Sequence, residues 1–480
     1  MKYSSSEIAT IVGGQLVGEK DMVVRRLLTD SRLISFPEES IFVSLVTEKN
    51  DGHRYIEDLY RNNVRCFLIS RPVEKFSHLK EATFIVVDDT LKALQRWAKH
   101  HREQFSIPVI GVTGSNGKTI VKEWLYQLLN KDYKITRSPR SYNSQMGVPL
   151  SVLQMDNDTE LAIFEAGISK PDEMERLQSV LQPTIGIFTN LGEAHQENFS
   201  SAKVKGLEKA KLFQNAQYVV FNKEQKLLDI CVQQSCHHSQ FISFGENKEA
   251  DIHILSKTTV GNCTSIQYQY KAENNTIIIP FTDYASVENA LHCLAVLLLL
   301  GLPSAEISTR MKMLEAVAMR MEVKDGEKGC LVVNDSYNSD FNSLFIALDF
   351  LSQQASNKQI KKTLILSDIL QTGVSPDSLY DSVARLIQEK GVERFIGIGT
   401  ELTNHQELIQ TKEKHFYLTT ESFLQEMDKF TFVDEAILLK GARNYHFEVI
   451  SDKLAKVVHE TTLEVDLVAL VIISTTIVPF

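Results

Sequence analysis

Gly111-Val112-Thr113-Gly114-Ser115-Asn116-Gly117-Lys118-Thr119 is the stretch that decides how this chain folds. Its glycines let backbone N–H groups approach an anion closely, and a helix starting near Lys118 adds the positive end of its dipole. Lys118 supplies a point charge and Thr119 a hydroxyl suited to Mg²⁺. The strict phosphate-loop spacing expects a glycine where Val112 stands, so the flanks must decide between such a loop and a glycine turn capping an ordinary helix. Upstream, Pro108-Val109-Ile110-Gly111-Val112 is a continuous apolar run suited to a buried parallel strand. Downstream, Val121, Trp124, Leu125, Leu128 and Leu129 recur at helical spacing and would seat one face on a sheet. Strand, turn and helix predict a doubly wound sheet that holds a nucleoside triphosphate on Gly114, Asn116, Gly117, Lys118 and Thr119.

The surroundings repeat the α/β pattern. Buried-strand runs follow at Leu161–Glu165, 185–189 and Tyr218–Asn222. Before residue 100, short β-like runs at 40–46, 66–70 and 83–87 alternate with helical stretches, and Leu91-Lys92-Ala93-Leu94-Gln95-Arg96-Trp97 closes a small α/β unit. From near Glu315, runs at 330–334, 363–367, 394–399 and 436–440 read as strands of a second nucleotide-type unit. The expected division is 1–100, 101–314 and 315–458, with a tail at 459–480.

At 480 residues and 43% hydrophobic, the chain is too long for one ordinary core. Its net charge of −10 repels nucleic-acid phosphates on average, so any anion site has to be built locally. Six cysteines spread through this length are not a disulfide scaffold and point to a reducing, cytoplasmic setting. The N-terminus lacks the apolar core of a signal peptide, and the longest apolar run, 293–302, is too short to span a bilayer and reads as a buried core helix. The expectation is a soluble enzyme with no nucleic-acid or membrane partner, acting as a monomer.

The variant turn resembles that of the Mur ligases and the folylpolyglutamate synthetases, and other segments extend the likeness over nearly the whole chain. Leu161-Ala162-Ile163-Phe164-Glu165-Ala166-Gly167 is similar to the strand whose glutamate binds magnesium. Thr189-Asn190-Leu191-Gly192-Glu193-Ala194-His195 is similar to the loop that supplies a histidine ligand. Lys209, in Lys209-Ala210-Lys211-Leu212-Phe213, resembles the lysine that Mur ligases carry as a carbamate, and Asp335-Ser336-Tyr337-Asn338 resembles the start of their C-terminal nucleotide-facing turn. The resemblance implies a three-domain architecture with a central phosphate-loop sheet and a C-terminal Rossmann-like domain. It further implies ATP and Mg²⁺, with Thr119, Glu165, His195 and Lys209 as metal ligands and Lys118, Lys209, His195 and Glu165 as the catalytic set. Taken singly, Glu165 could be a paired structural carboxylate, His195 a satisfied core histidine and Lys209 a solvated member of the charged run 203–211. As a carbamate, Lys209 would be an anionic oxygen ligand, whereas its ammonium would repel the metal.

Thr29-Asp30-Ser31-Arg32 and Asp51-Gly52-His53 resemble the UDP-binding domain of the ligases that extend the muramoyl peptide, a domain that folylpolyglutamate synthetases lack. Tyr142-Asn143-Ser144-Gln145-Met146-Gly147-Val148-Pro149 is similar to the segment of the member that adds D-alanyl-D-alanine, with Ser144 where a second asparagine is typical. By the same resemblance Asn289 would meet the adenine, and Arg320, Asp335 and Asn338 the ribose and phosphates. Ser31, Arg32, Asn143, Ser144 and Lys440 would contact the peptide substrate, a UDP-N-acetylmuramoyl tripeptide. Alternatives of the same site are a sister ligase adding a single amino acid and a nucleotide-binding module without catalysis. The stretch 459–470 resembles the opening of an alanine racemase domain, and the last ten residues can be encoded by DNA that continues this likeness once one base is restored. The expectation is the ligase half of a ligase–racemase fusion, cut short by a frameshift; a native apolar C-terminal strand is the plainer reading.

Overall fold

Alternation along the strands sorts the core of the middle of the chain onto two faces. Val109 faces one apolar cluster together with Ala162, Phe164, Val148 and Leu177, whereas Ile110 and Val112 face a second with Val121, Trp124, Leu125 and Leu294. A strand buried on both faces needs helices on both, which is why these runs are continuously apolar. The computed structural model describes residues 1–456 except 33, 35, 48, 49, 140, 193–195, 318–321, 337, 338, 359 and 370–373, and except the side chains of 197, 342, 353 and 356–358.

The central sheet has nine strands. From one edge they are Ile135–Arg137, Leu161–Glu165, Val109–Thr113, Ile185–Phe188, Tyr218–Asn222, Gln240–Gly245 and Ile252–Val260, all parallel, then Cys263–Tyr270 and Glu273–Ile279, antiparallel. The strand order reverses around Val109–Thr113, whose neighbours come later in the chain on both sides. Ligands of open α/β sheets bind outside the carboxyl ends of strands at such a switch point, which puts the expected phosphate turn in its place. The run at 293–302 lies largely within the core helix Tyr284–Leu299, as its length predicted. The meander that closes the sheet, 252–279, is not among the strands read from the sequence.

Before it, Gln15–Val17, Thr83–Val86, Cys66–Ile69, Ser40–Val43 and Arg26–Leu28 form a five-stranded sheet, parallel except for its first edge strand. Asp89 caps the following helix, Thr90–Arg102, through its side chain, and fully buried Trp97 of that helix joins this sheet to the central unit in one continuous apolar cluster. After it, Glu322–Asp325, Leu331–Asp335, Glu435–Lys440, Lys361–Ser367, Arg394–Ile398 and Glu413–Tyr417 form a six-stranded sheet, again parallel beyond its first strand, with two apolar clusters of its own. The α/β class and layered architecture agree with the sequence reading. The tail, 459–480, lies outside the described residues.

Candidate functional site

Two glycines of the turn have no alternative. Gly114 has φ +144°, and a Cβ there would lie 2.0 Å from Thr189 Oγ1; Gly117 has φ +82°, and a Cβ there would lie 2.3 Å from Asn289 Oδ1. The turn is therefore pressed between the loop 189–192 and the helix Tyr284–Leu299. The loop is stitched to it: Ser115 N donates to Asn190 O at 2.9 Å, Asn116 N to Asn190 Oδ1 at 2.9 Å and Gly192 N to Ser115 Oγ at 2.8 Å. Thr189 Oγ1 adds a bond to Asn116 O.

Three lysine side chains gather on carbonyls of this assembly. Lys118, the first residue of Lys118–Leu129, donates to Gly114 O at 2.8 Å and Ser115 O at 3.0 Å. Lys209 donates to Gly114 O at 3.1 Å, and Lys205 to Gly192 O. Lys209 is not a solvated member of a charged run: it is buried, and burial first, then the charges of Lys118 and Lys205, hold its amine well below the ordinary lysine value. Burial and the neighbouring charges thus shift Lys209 from the ammonium toward the free amine at the position where the resemblance expects a carbamate.

On the other side of the turn, Thr119 Oγ1 lies 3.1 Å from Glu165 Oε2 and 2.9 Å from Ser141 Oγ, with Asn143 Nδ2 at 3.4 Å from the same carboxylate oxygen. Glu165 is fully buried at the carboxyl end of its strand, and its Oε1 accepts no hydrogen bond among the described residues, although Lys122 Nζ stands 3.3 Å away. An incompletely satisfied buried carboxylate beside a hydroxyl is a fitting pair of hard oxygen donors for Mg²⁺. Among the described residues no three His, Cys, Asp or Glu converge on one point.

The remaining expected residues divide. Asn289 is buried against Gly117, and Lys440 pairs with Asp335 at 2.7 Å across adjacent strands, so both C-terminal residues share one place. Asn143 joins the Glu165 group, whereas Ser144 accepts a bond from Gly147 N at 3.1 Å at the start of the helix Gly147–Val152, which gives that hydroxyl a local structural task. Arg32 is exposed and held on Asp30 at 2.6 Å, a bond that brings the Asp30 carboxyl down to about 2, and Ser31 lies beside it just beyond the strand Arg26–Leu28. His195, Arg320 and Asn338 lie outside the described residues. Lys122, Lys205 and Ser141 belong to the site and were not read from the sequence; Lys122 stands one helical turn after Lys118, a spacing that could have signalled it.

Between the central and C-terminal sheets lies a cavity of about 270 Å³ lined by Ile120, Trp124, Phe281, Asp283, Ser286 and Phe350. Trp124 and Phe281 stack at 4.9 Å on its wall, and Asp283, whose Oδ2 has no partner among the described residues, is raised above the ordinary carboxylate value by burial.

Residues 112–297 match the Mur ligase middle domain. The chain is 26% identical to the UDP-N-acetylmuramoyl-tripeptide–D-alanyl-D-alanine ligase of Bacillus subtilis, covering 94% of this chain and 98% of that protein. Its fold is similar to that of MurF from Acinetobacter baumannii, with a TM-score of 0.80 at 21% identity over 94% of this chain and 99% of that one. It is also similar to MurF from Thermotoga maritima in complex with ADP, with a TM-score of 0.73 at 20% identity over 90% and 97% of the two chains.

Proposed function

We infer that this chain, which belongs to the Mur ligase family, is the ATP-dependent ligase that joins D-alanyl-D-alanine to a UDP-N-acetylmuramoyl tripeptide in peptidoglycan precursor synthesis. The observation that carries the chemistry is the convergence on one phosphate turn of Lys118, Lys209, Thr119 and Glu165. The domains are taken as 1–100 for the UDP-linked substrate, 101–314 for ATP and 315–458 to close over the nucleotide. The protein is placed in the cytoplasm as a monomer, in keeping with six unpaired cysteines and with the absence, among the described residues, of a helix long and apolar enough to cross a membrane.

The reaction joins two anions before it makes an amide. The terminal carboxylate of the tripeptide attacks the γ-phosphorus of ATP; the β–γ bridging bond breaks, ADP leaves and an acyl phosphate forms. The amine of D-alanyl-D-alanine then adds to the acyl carbon, loses its proton and expels inorganic phosphate. Lys118 and the amides of the turn hold the phosphates in line and offset the charge that builds up during transfer. Thr119, Glu165 and carbamylated Lys209, with His195, would hold Mg²⁺, which when bound supplies positive charge to the phosphate oxygens. Asn289 would face the adenine, Asp335 and Lys440 would approach from the C-terminal sheet, and Asn143 and Ser144 would border the tripeptide. Exclusion of water protects the acyl phosphate from hydrolysis.

A phosphate-release assay tests this reading. With ATP, Mg²⁺ and UDP-muramoyl tripeptide, D-alanyl-D-alanine should stimulate ADP formation and yield the pentapeptide product. Stimulation by a single amino acid instead would make the chain a sister ligase. Nucleotide binding with no acceptor-dependent turnover would make it a binding module.

A further inference from the structure

Behind the phosphate turn, one buried carboxylate ties together the walls that hold it. Glu288 sits on the helix Tyr284–Leu299 next to Asn289, the residue pressed on Gly117. Its Oε1 accepts two amide donors at 2.7 Å each, Asn222 Nδ2 from the end of the strand Tyr218–Asn222 and Gln225 Nε2 from the turn that follows. Gln225 then uses its own Oε1 to accept Leu191 N at 3.3 Å, in the middle of the loop stitched to Ser115 and Asn116. One helical turn along, His292 contacts Glu288 O at 2.9 Å and Phe188 O at 3.1 Å, at the root of the same loop.

Both sides of the turn are thus referred to a single side chain. Asn289 fixes the helix side at Gly117, and the relay from Glu288 through Gln225 to Leu191 fixes the loop side at Asn116. A buried carboxylate has to be satisfied by donors, and two amides aimed at one oxygen are a specific and rigid solution. The bonds do not touch the space in front of the turn, so Glu288 is not a catalytic residue.

We propose that Glu288 is a positioning residue for the nucleotide: acting through Gln225, it sets the spacing between the loop 189–192 and the helix that bears Asn289. This rests on the reading of the turn as an ATP site. The loop 189–192 is bonded to Ser115 and Asn116 of the turn, so an error in its placement would reach phosphate binding before it reached the overall fold.

Calorimetric titration of the full chain with Mg·ADP is the test, run on the unmodified protein and on Glu288→Leu, Gln225→Leu, the double variant and Glu288→Gln. Breaking the hydrogen bond between the Glu288 carboxylate and the Gln225 amide should weaken ADP binding by about tenfold or more in each leucine variant. The double variant should be no weaker than the worse single one, because both changes break the same relay. Glu288→Gln retains an amide oxygen for both donors and should stay close to the unmodified affinity. A purely structural carboxylate would lower the melting temperature and leave ADP affinity unchanged, which would overturn the proposal. So would additive losses in the double variant, or a Glu288→Gln variant as weak as Glu288→Leu. Should Glu288→Leu not fold, the partly exposed Gln225→Leu carries the same expectation, and unchanged affinity there overturns it. Failure of the unmodified chain to bind Mg·ADP would overturn the ATP-site reading itself, and this proposal with it.

Discussion

Lys118 and Lys209 share an acceptor, Gly114 O, yet their surroundings assign them opposite tasks. Lys118 stands at the head of a helix, and in the proposed reaction it keeps a cation where phosphate charge builds up. Lys118→Ala should therefore lower kcat by more than about a hundredfold, the loss expected for a transition-state contact, in a protein that still melts cooperatively. An unchanged kcat would remove Lys118 from the phosphate site. Lys209 is held toward the free amine by burial and by the neighbouring lysines, and a free amine is the form that combines with CO₂. Depleting CO₂ should inactivate the enzyme and bicarbonate should restore it; Lys209→Ala should be inactive and partly rescued by a small carboxylic acid. Rescue by an amine and not by a carboxylate would contradict the carbamate. A third residue carries a pH signature. Burial holds His53 below the ordinary histidine value of 6.5, against the pull of Asp51, and its Nε2 accepts Ser70 N at 2.9 Å. A lowered folded value means that the unfolded chain takes up the proton more readily, so this contribution is complete above pH 6.5 and is lost as pH falls. The urea midpoint should drop on acidification, and drop less in His53→Gln; an identical drop in both proteins would show that His53 is not responsible.

At the scale of elements, the strand, turn and helix around 109–129 were legible because their periodicities are strong and the turn chemistry is dense. The strand Leu161–Glu165 was equally plain, five buried residues ending in the carboxylate that the site uses. The meander 252–279 is hard to read because its strands are half-exposed and rich in Thr, Ser, Gln and Asn, and only the three residues 277–279 form a continuous apolar run. Glu288 was hidden for a different reason. Its buried carboxylate has no sequence signature of its own, since its partners, Asn222 and Gln225, lie 66 and 63 residues away along the chain. Gly117 shows what the turn as an element requires. In Gly117→Ala the added methyl meets Asn289 in a left-handed backbone conformation that costs about 1–2 kcal/mol by itself. ADP binding should be lost or severely weakened in a chain that remains folded. Binding equal to that of the unmodified protein would mean that the helix Tyr284–Leu299 yields easily and is not a fixed wall of the site.

The residues proposed to act on the substrates lie on two sheets with a cavity between them, and the chain crosses from one to the other at a clamped point. Trp124 Nε1 donates to Glu315 O at 2.8 Å and Glu315 N donates to Gln127 Oε1 at 3.0 Å, so the crossing is anchored on the very helix that begins at Lys118. Beyond that anchor, Asp335 and Lys440 ride on the C-terminal sheet, and the cavity wall includes Phe350 from its far side. An anchored crossing with separate apolar clusters on either side would let one body turn against the other while both keep their cores. Nucleotide bound on the turn would give the C-terminal body a second surface to settle on, and settling would bring Asp335 and Lys440 toward the phosphates while shutting out water. The radius of gyration measured by small-angle X-ray scattering should therefore fall when a non-hydrolysable ATP analogue, Mg²⁺ and UDP-muramoyl tripeptide are added together. The Lys118→Ala variant, which lacks the cation that fixes the phosphates, should not contract under the same conditions. If the unmodified protein binds the analogue by calorimetry and keeps its radius, the two bodies do not close, and the groups on the C-terminal sheet must act from where they stand.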